Sequence, residues 1–309
     1  VRPSPRVLVA PGRPEYALDA VVQGGGTLTT DGPLDGLVWT TFDPQALLET
    51  VAAHPELRWA QLPMAGIDRV LDAGVFERPH PSGLVWTSAK GSYARPVAEH
   101  ALCLALAGLR KLPERARARS WGERAATTLF DAPVTVLGGG GITQELLALL
   151  APFNVQASVV RRTASPLAGA VRTVTTDELH STLPGALVVF VALALTPETV
   201  HIISDEELGL MGTDSWLVNV ARGRHVNTDA LVKALSESRL GGAALDVTDP
   251  EPLPDGHPLW SLPNCLVTPH TADTEEMIQA LLAVRIRENV ERLASGLPLV
   301  GVVDTAAGY

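Results

Sequence analysis

Short apolar, β-branched runs alternate with amphipathic stretches along the chain. Val7-Leu8-Val9-Ala10, followed by Pro11-Gly12, reads as a strand and a turn, and Leu37-Val38-Trp39 as a second strand. Residues 45–53 predict a helix with Asp43 as its N-cap. Trp59-Ala60-Gln61-Leu62 is a third strand, Ala65-Gly66-Ile67-Asp68 opens a further helix, and Leu84-Val85-Trp86-Thr87 is a fourth strand. Residues 97–109 form a long apolar helix between this set of strands and the next, placed to connect two domains. Residues 110–124, rich in Arg and Glu, read as a solvated helix or an oligomer contact. The second set opens with Val134-Thr135-Val136-Leu137, then four glycines, then a helix faced by Leu146, Leu147, Leu149 and Leu150, then a β-rich run over 155–160. The apolar run 187–195 has the look of a fully buried parallel strand. Residues 216–220, 243–245 and 266–268 add strands, and an amphipathic helix over 276–293 closes the pattern. Strands alternating with helices predict an α/β fold with parallel sheets.

A chain of 309 residues leans toward two domains. Hydrophobic residues at 46% and charged residues at 19% match a globular protein with a substantial core. The net charge of −10 argues against nucleic acid held by broad electrostatics. An anionic substrate therefore needs local positive charge. Cys103 and Cys265 lie in apolar runs and read as buried thiols, with no disulfide framework and no metal-ligand pattern. No apolar run reaches the roughly 18 residues of a membrane span. No signal-like N-terminus is visible either, so a cytoplasmic location with no membrane partner is expected.

Strand, glycine turn, helix and strand over 134–162 make one βαβ unit. Glycines at such a turn admit a pyrophosphate, which the helix N-terminus meets with free N–H groups and partial positive charge. Against the G-x-G-x-x-G spacing the chain has Gly138, Gly140 and Thr143, and the larger Thr143 predicts a helix set slightly further out. A carboxylate after the second strand would bind the ribose 2′-OH of NAD. Arg161 and Arg162 stand there instead. Adjacent guanidinium groups suit a 2′-phosphate, which favours NADP(H) over NAD(H). The same residues also fit a glycine-rich turn of another α/β protein followed by two solvated arginines.

Ligands of open α/β sheets bind beyond the carboxyl ends of the strands. Arg222, Glu251 and His270 each follow a strand of the second set, and Asp246 ends one. Hydride transfer to a 2-keto acid needs these types. An arginine holds the carboxylate and carbonyl, a histidine gives the carbonyl oxygen its proton, and a carboxylate orients the imidazole. Asp246 is placed to bond a nicotinamide amide. Each has a plain alternative: a strand-end arginine paired with a surface carboxylate, a Glu251 that is only a loop residue between prolines, a structural histidine. His54, His80, His180, His201, His225 and His257 take that structural or exposed reading.

The sequence resembles the D-isomer-specific 2-hydroxyacid dehydrogenase family, which includes phosphoglycerate dehydrogenase and glyoxylate/hydroxypyruvate reductases. The likeness covers nearly the whole chain. It is carried by Arg95-Pro96-Val97-Ala98-Glu99-His100, Leu195-Thr196-Pro197-Glu198-Thr199, Asn219-Val220-Ala221-Arg222-Gly223, Gly242-Ala243-Ala244-Leu245-Asp246-Val247, Glu251-Pro252-Leu253-Pro254 and Thr268-Pro269-His270, in that order. The resemblance implies a Rossmann dinucleotide-binding domain over 96–274, inserted in a flavodoxin-like substrate domain of 1–95 and 275–309. It implies that Arg222 binds substrate, that Glu251 and His270 form the acid–base pair, and that Asp246 contacts nicotinamide. Met64, Ala65 and Gly66 match the loop whose N–H groups bind the substrate carboxylate. Gly141 and Ile142 match the pyrophosphate turn, and Val220 and Ala221 fall beside the cofactor. The implied partners are a small 2-keto or 2-hydroxy acid, such as glyoxylate or hydroxypyruvate, and a second copy of the chain in a homodimer.

Three residues depart from the family pattern. Thr143 replaces the third glycine, Ala194 stands where proline is usual, and Asp273 replaces a small residue near the nicotinamide. A carboxylate at 273 is placed to disfavour an acidic cofactor or to tune the histidine. Lys90 and Arg95 suit either a second anionic group of the substrate or a solvated loop. The rival reading is a dinucleotide-sensing, corepressor-like binding protein with little or no turnover.

Overall fold

Two parallel sheets carry the chain in the computed structural model, which describes residues 3–77, 80 and 83–305. The residues divide into two units, Val1–Tyr93 with Thr274–Tyr309, and Ala94–Asp273. In the first unit, β1 (Arg6–Ala10), β2 (Thr27–Leu28), β3 (Gly36–Trp39), β4 (Trp59–Gln61) and β5 (Val85–Thr87) pair in the order β2-β1-β3-β4-β5. All neighbours are parallel, which is the flavodoxin-like order. The unit also holds α1 (Glu15–Gln23), α2 (Pro44–Ala53), α3 (Asp68–Asp72) and the returning α10 (Glu275–Ser295). Asp43 caps α2 as expected, its carboxylate accepting from the N–H groups of Gln45 and Ala46. Leu37, Leu47, Leu57, Leu62 and Ile67 fill the core on one side of this sheet. A buried polar string crosses it. Trp59 Nε1 donates to Thr87 Oγ1 at 2.8 Å, and Gln61 Oε1 accepts from Thr87 Oγ1 and from Asn289 Nδ2 of α10, both at 2.9 Å.

The second unit holds β6 (Pro133–Leu137), β7 (Gln156–Val160), β8 (Arg172–Val174), β9 (Val188–Val191), β10 (Trp216–Asn219), β11 (Gly242–Leu245) and β12 (Cys265–Val267). Their order is β12-β11-β10-β9-β6-β7-β8, again parallel throughout. Chain order reverses between β6 and β9, and that switch point is where a Rossmann sheet receives its ligand. The unit's helices are α4 (Ala94–Leu109), α5 (Leu112–Arg117), α6 (Gly141–Leu150), α7 (Asp205–Leu210), α8 (Thr228–Ser236) and α9 (Pro258–Ser261).

Three sequence expectations need correction. The run 187–195 is a strand only over β9, because after Ala192 N–H donates to Leu137 O the chain turns across the start of the glycine loop. Residues 110–124 are helical only in α5, and beyond Arg117 they are exposed and irregular, Trp121 most of all. Cys103 is exposed, because the buried face of α4 is Val97, Ala98, Ala101, Leu104 and Ala105 and position 103 falls on the other side. Cys265 is buried, and burial pushes its thiol up to about 12, with Arg117 opposing weakly. Among the described residues no helix is long and apolar enough to cross a membrane.

Candidate active site

The glycine turn is built by close contact on one side and open space on the other. Gly138 follows β6 with φ +110°, and a Cβ there would fall 2.2 Å from Ala192 O, so no side chain fits. Thr143 is buried, and its Oγ1 donates to Gly138 O at 3.0 Å. The residue that replaces the third glycine therefore ties the first turn of α6 back to the loop. Gly140 caps α6, and a Cβ built on it meets nothing within 4 Å. The first N–H groups of a helix have no intrahelical acceptor. Open ground at Gly140 in front of Gly141 and Ile142 thus suits a pyrophosphate. Arg161 follows β7, half-buried, with its Cδ and Nε against Gly139. Arg162 is exposed. Its charge reaches Glu198, whose carboxyl sits below the usual range, first through the Thr196 side chain and its own backbone and then through Arg162.

Beyond β10 the chain is held by residues to which sequence reading gave no site role. Asn219 Nδ2 donates to Arg222 O at 2.8 Å, and Asn219 Oδ1 accepts from Ala221 N–H at 3.0 Å. His225 is buried, with Nδ1 3.1 Å from Arg222 O and Nε2 3.3 Å from Ala194 O. Val220 and Ala221 are buried, while Arg222 is half-buried and donates from Nη1 to Ala221 O at 2.8 Å. These bonds hold the loop backbone from within the protein.

Asp246, at the end of β11, is 1% exposed. Its Oδ1 accepts from Thr268 Oγ1 at 2.6 Å and Thr271 N–H at 2.9 Å, and lies 3.2 Å from His100 Nε2 of α4; its Oδ2 accepts from Ala272 N–H at 3.0 Å. Burial works against this charge. The bonds from His100, Thr268, Thr271 and Ala272 outweigh it and hold the carboxyl below its usual range. His100 Nε2 also meets Thr268 Oγ1 at 3.1 Å. His100 belongs to a motif visible in the sequence, but nothing local announces its partner across the fold.

His270 lies between these anchored residues with φ +50°, its N–H bonded to Asp246 O at 2.8 Å and Thr268 O at 3.0 Å. Its Nδ1 is 2.9 Å from Glu251 Oε1. An ionised carboxylate only accepts, so Nδ1 carries the hydrogen and Nε2 faces away, able to exchange a proton with a ligand. Asp273 is half-buried. Burial chiefly raises its carboxyl, Asp246 adds to that, and His270 and Arg222 oppose it. Arg222, His270 and Asp273 thus share one electrostatic neighbourhood. Met64, Ala65 and Gly66 follow β4 in the first unit, half-buried. His180, Glu206 and Glu207 come close enough to hold a cation, but Glu207 already caps α7 through Ser204.

The family described as D-isomer specific 2-hydroxyacid dehydrogenase, NAD binding domain, matches residues 100–272. A protein of Corynebacterium melassecola, described as an uncharacterized protein in the proB 3′ region, is 40% identical over 296 residues, covering 94% of this chain and 95% of that one. Glyoxylate/hydroxypyruvate reductase A of Yersinia enterocolitica is 26% identical over 281 residues, covering 88% of this chain and 87% of that one. The crystal structure of a D-isomer specific 2-hydroxyacid dehydrogenase from Xanthobacter autotrophicus Py2, in complex with NADPH and MES, matches with a TM-score of 0.84 at 26% identity, covering 99% of this chain and 100% of that one.

Proposed function

The chain belongs to the D-isomer-specific 2-hydroxyacid dehydrogenase family of oxidoreductases, and on that premise we propose that it reduces a small 2-keto acid to the D-2-hydroxy acid with NADPH as preferred reductant. The reading rests above all on His270 Nδ1 held 2.9 Å from Glu251 at the carboxyl ends of the cofactor sheet. When bound, the reduced nicotinamide supplies a hydride to the keto carbon. Arg222 holds the substrate's carboxylate and carbonyl oxygen. His270 donates a proton from Nε2 to that oxygen as it becomes a hydroxyl, and takes it back in the oxidation direction. Glu251 fixes the ring and stabilises the positive charge it carries before donation. Asp246 was expected at the nicotinamide amide. With its carboxylate bonded to four donors, its proposed task is to hold the loop that carries His270. The N–H groups of Met64, Ala65 and Gly66 bind the substrate carboxylate.

Preference for NADPH is supported by Arg161 and Arg162 where a carboxylate would select NAD, and by the NADPH bound to the Xanthobacter relative. The name of the Yersinia relative favours glyoxylate or hydroxypyruvate as substrate. The proposed assembly is a homodimer. The exposed Leu112, Trp121 and Phe130 on the segment after α4 support it. Titrating the purified protein with NADPH and NADH, then following cofactor oxidation against a panel of 2-keto acids, tests the reading. Tighter NADPH binding with turnover of a small keto acid is expected. Cofactor binding without turnover of any acid would sink it.

A further inference from the structure

Arg285 stands inside α10 with 9% of its surface exposed. A buried guanidinium is costly to desolvate and is usually met by a carboxylate. Arg285 instead gives its donors to two backbone carbonyls, from Nη1 to Ser88 O at 3.0 Å and from Nη2 to Lys90 O at 3.1 Å. Burial pulls its pKa below the ordinary range, with Glu288 and Tyr93 opposing. The C-terminal segment is shaped around this contact. Gly301 has φ +74°, and a Cβ there would fall 2.2 Å from Arg285 Nη1 and 2.5 Å from Ser88 O. The Gly301 carbonyl accepts from Ser88 N–H at 2.8 Å, and Lys90 N–H donates to Ser88 Oγ at 3.2 Å. The turn after β5 is gripped from α10, from the C-terminal segment and from within.

The gripped turn holds the stretch after β4. Tyr93 Oη donates to Pro63 O at 2.6 Å, Ala89 N–H donates to Met64 O at 2.8 Å, and Ser88 Oγ donates to Ala65 O at 3.4 Å. In a trans peptide the C=O and the following N–H point in opposite directions. Carbonyls of Met64 and Ala65 drawn toward residues 88–89 therefore turn the N–H groups of Ala65 and Gly66 the other way. Among the described residues nothing accepts from those two groups. Successive free N–H groups backed by engaged carbonyls make an anion nest.

We infer that Arg285 is a positioning residue for substrate binding: its guanidinium fork fixes Ser88 and Lys90, and through them the nest of Ala65 and Gly66 that receives the substrate carboxylate. The inference rests on the reading of Met64, Ala65 and Gly66 given above. A rigid fork suits this task because it sets two carbonyls at once. Binding groups need placing within about 0.5 Å to keep their worth.

The test is steady-state kinetics with saturating NADPH and the best keto acid, with oxalate as a competitive carboxylate probe. Arg285→Met keeps the stem and removes both donors. Loss of one well-placed bond should raise KM and the oxalate Ki about tenfold, with kcat and NADPH affinity changing less than about threefold. Arg285→Lys, which keeps the charge but replaces the two-nitrogen fork with a single nitrogen, should recover only part of the loss. A lower Tm with KM and Ki unchanged would leave Arg285 a purely structural clamp and overturn the inference. Should Arg285→Met not fold, Arg285→Lys decides in its place: a KM raised severalfold supports the inference and an unchanged KM overturns it. Gly66→Pro separates the two layers. If it leaves KM unaltered, the nest is not the carboxylate site and both readings fall. If it raises KM while the Arg285 variants do not, only the role of Arg285 is lost.

Discussion

Replacing Asp246 with Asn exchanges a carboxylate for an amide of the same shape where four donors converge on it. In the best orientation the amide oxygen keeps Thr268, Thr271 and His100, and the NH2 group faces Ala272 N–H. Donor then meets donor, and leaving one buried N–H unsatisfied costs about 1–3 kcal/mol. The three remaining bonds change from charge-assisted to neutral, roughly 0.5–1 kcal/mol each. Relief of the carboxylate's desolvation offsets part of this, leaving a net loss of about 2–4 kcal/mol, or a fall in Tm of roughly 5–10 °C for a unit of this size. The assay is thermal unfolding followed by circular dichroism, repeated from neutral pH into acid. The folded-state pKa of Asp246 lies below its unfolded value. Its contribution is therefore fully present above about pH 4 and fades as pH falls through the depressed folded value. Wild type and Asp246→Asn should differ most near neutrality and converge in strong acid. A Tm within about 1 °C of wild type at pH 7 would show that these bonds do not hold the loop. A pH-independent gap would show that the carboxylate's charge is not what matters.

Other outcomes follow from the same geometry. His270→Ala should lower turnover by roughly two or more orders of magnitude while NADPH still binds; unchanged turnover removes His270 from the chemistry. Exchanging Arg161 and Arg162 for Ala should weaken NADPH far more than NADH in a fluorescence titration, and equal losses would defeat the 2′-phosphate reading. Asp273 has a folded-state pKa raised chiefly by burial, so its ionised form weighs on the fold as pH rises past the unfolded value. Asp273→Asn should therefore raise Tm at neutral pH, with the gain vanishing below about pH 4. A lower Tm at neutral pH would mean that Arg222 and His270 depend on that charge.

Features that are local in sequence were legible, and those made by distant contact were not. The Asp43 cap, the glycine turn and the strand-end positions of Arg222, Asp246 and His270 are written in short stretches. β2 and β8 are not legible because edge strands of two and three residues carry almost no period. α1 follows Pro14, an N-cap residue with no side-chain cap bond. α8 carries a local signal in Asn227, which accepts from Ala230 N–H as its N-cap. Thr143 reads in the sequence as setting α6 slightly further out, and its hydroxyl makes a bond from α6 back to the glycine loop that the spacing alone does not announce. The partnership of His100, Thr268 and Asp246 joins α4 to the ends of β11 and β12, and no spacing rule reaches that far. Arg285 gave no cue, since an arginine on a closing helix is ordinarily solvated.

Hydride transfer itself can be watched. Purified protein would be given NADPH deuterated at the transferring position of C4, with glyoxylate or hydroxypyruvate, and the hydroxy acid product weighed by mass spectrometry. A 2-hydroxy acid carrying one deuterium at C2, formed by wild type and lost in His270→Ala, is the predicted result. Cofactor that binds but is never oxidised, or product that forms without deuterium, would contradict it.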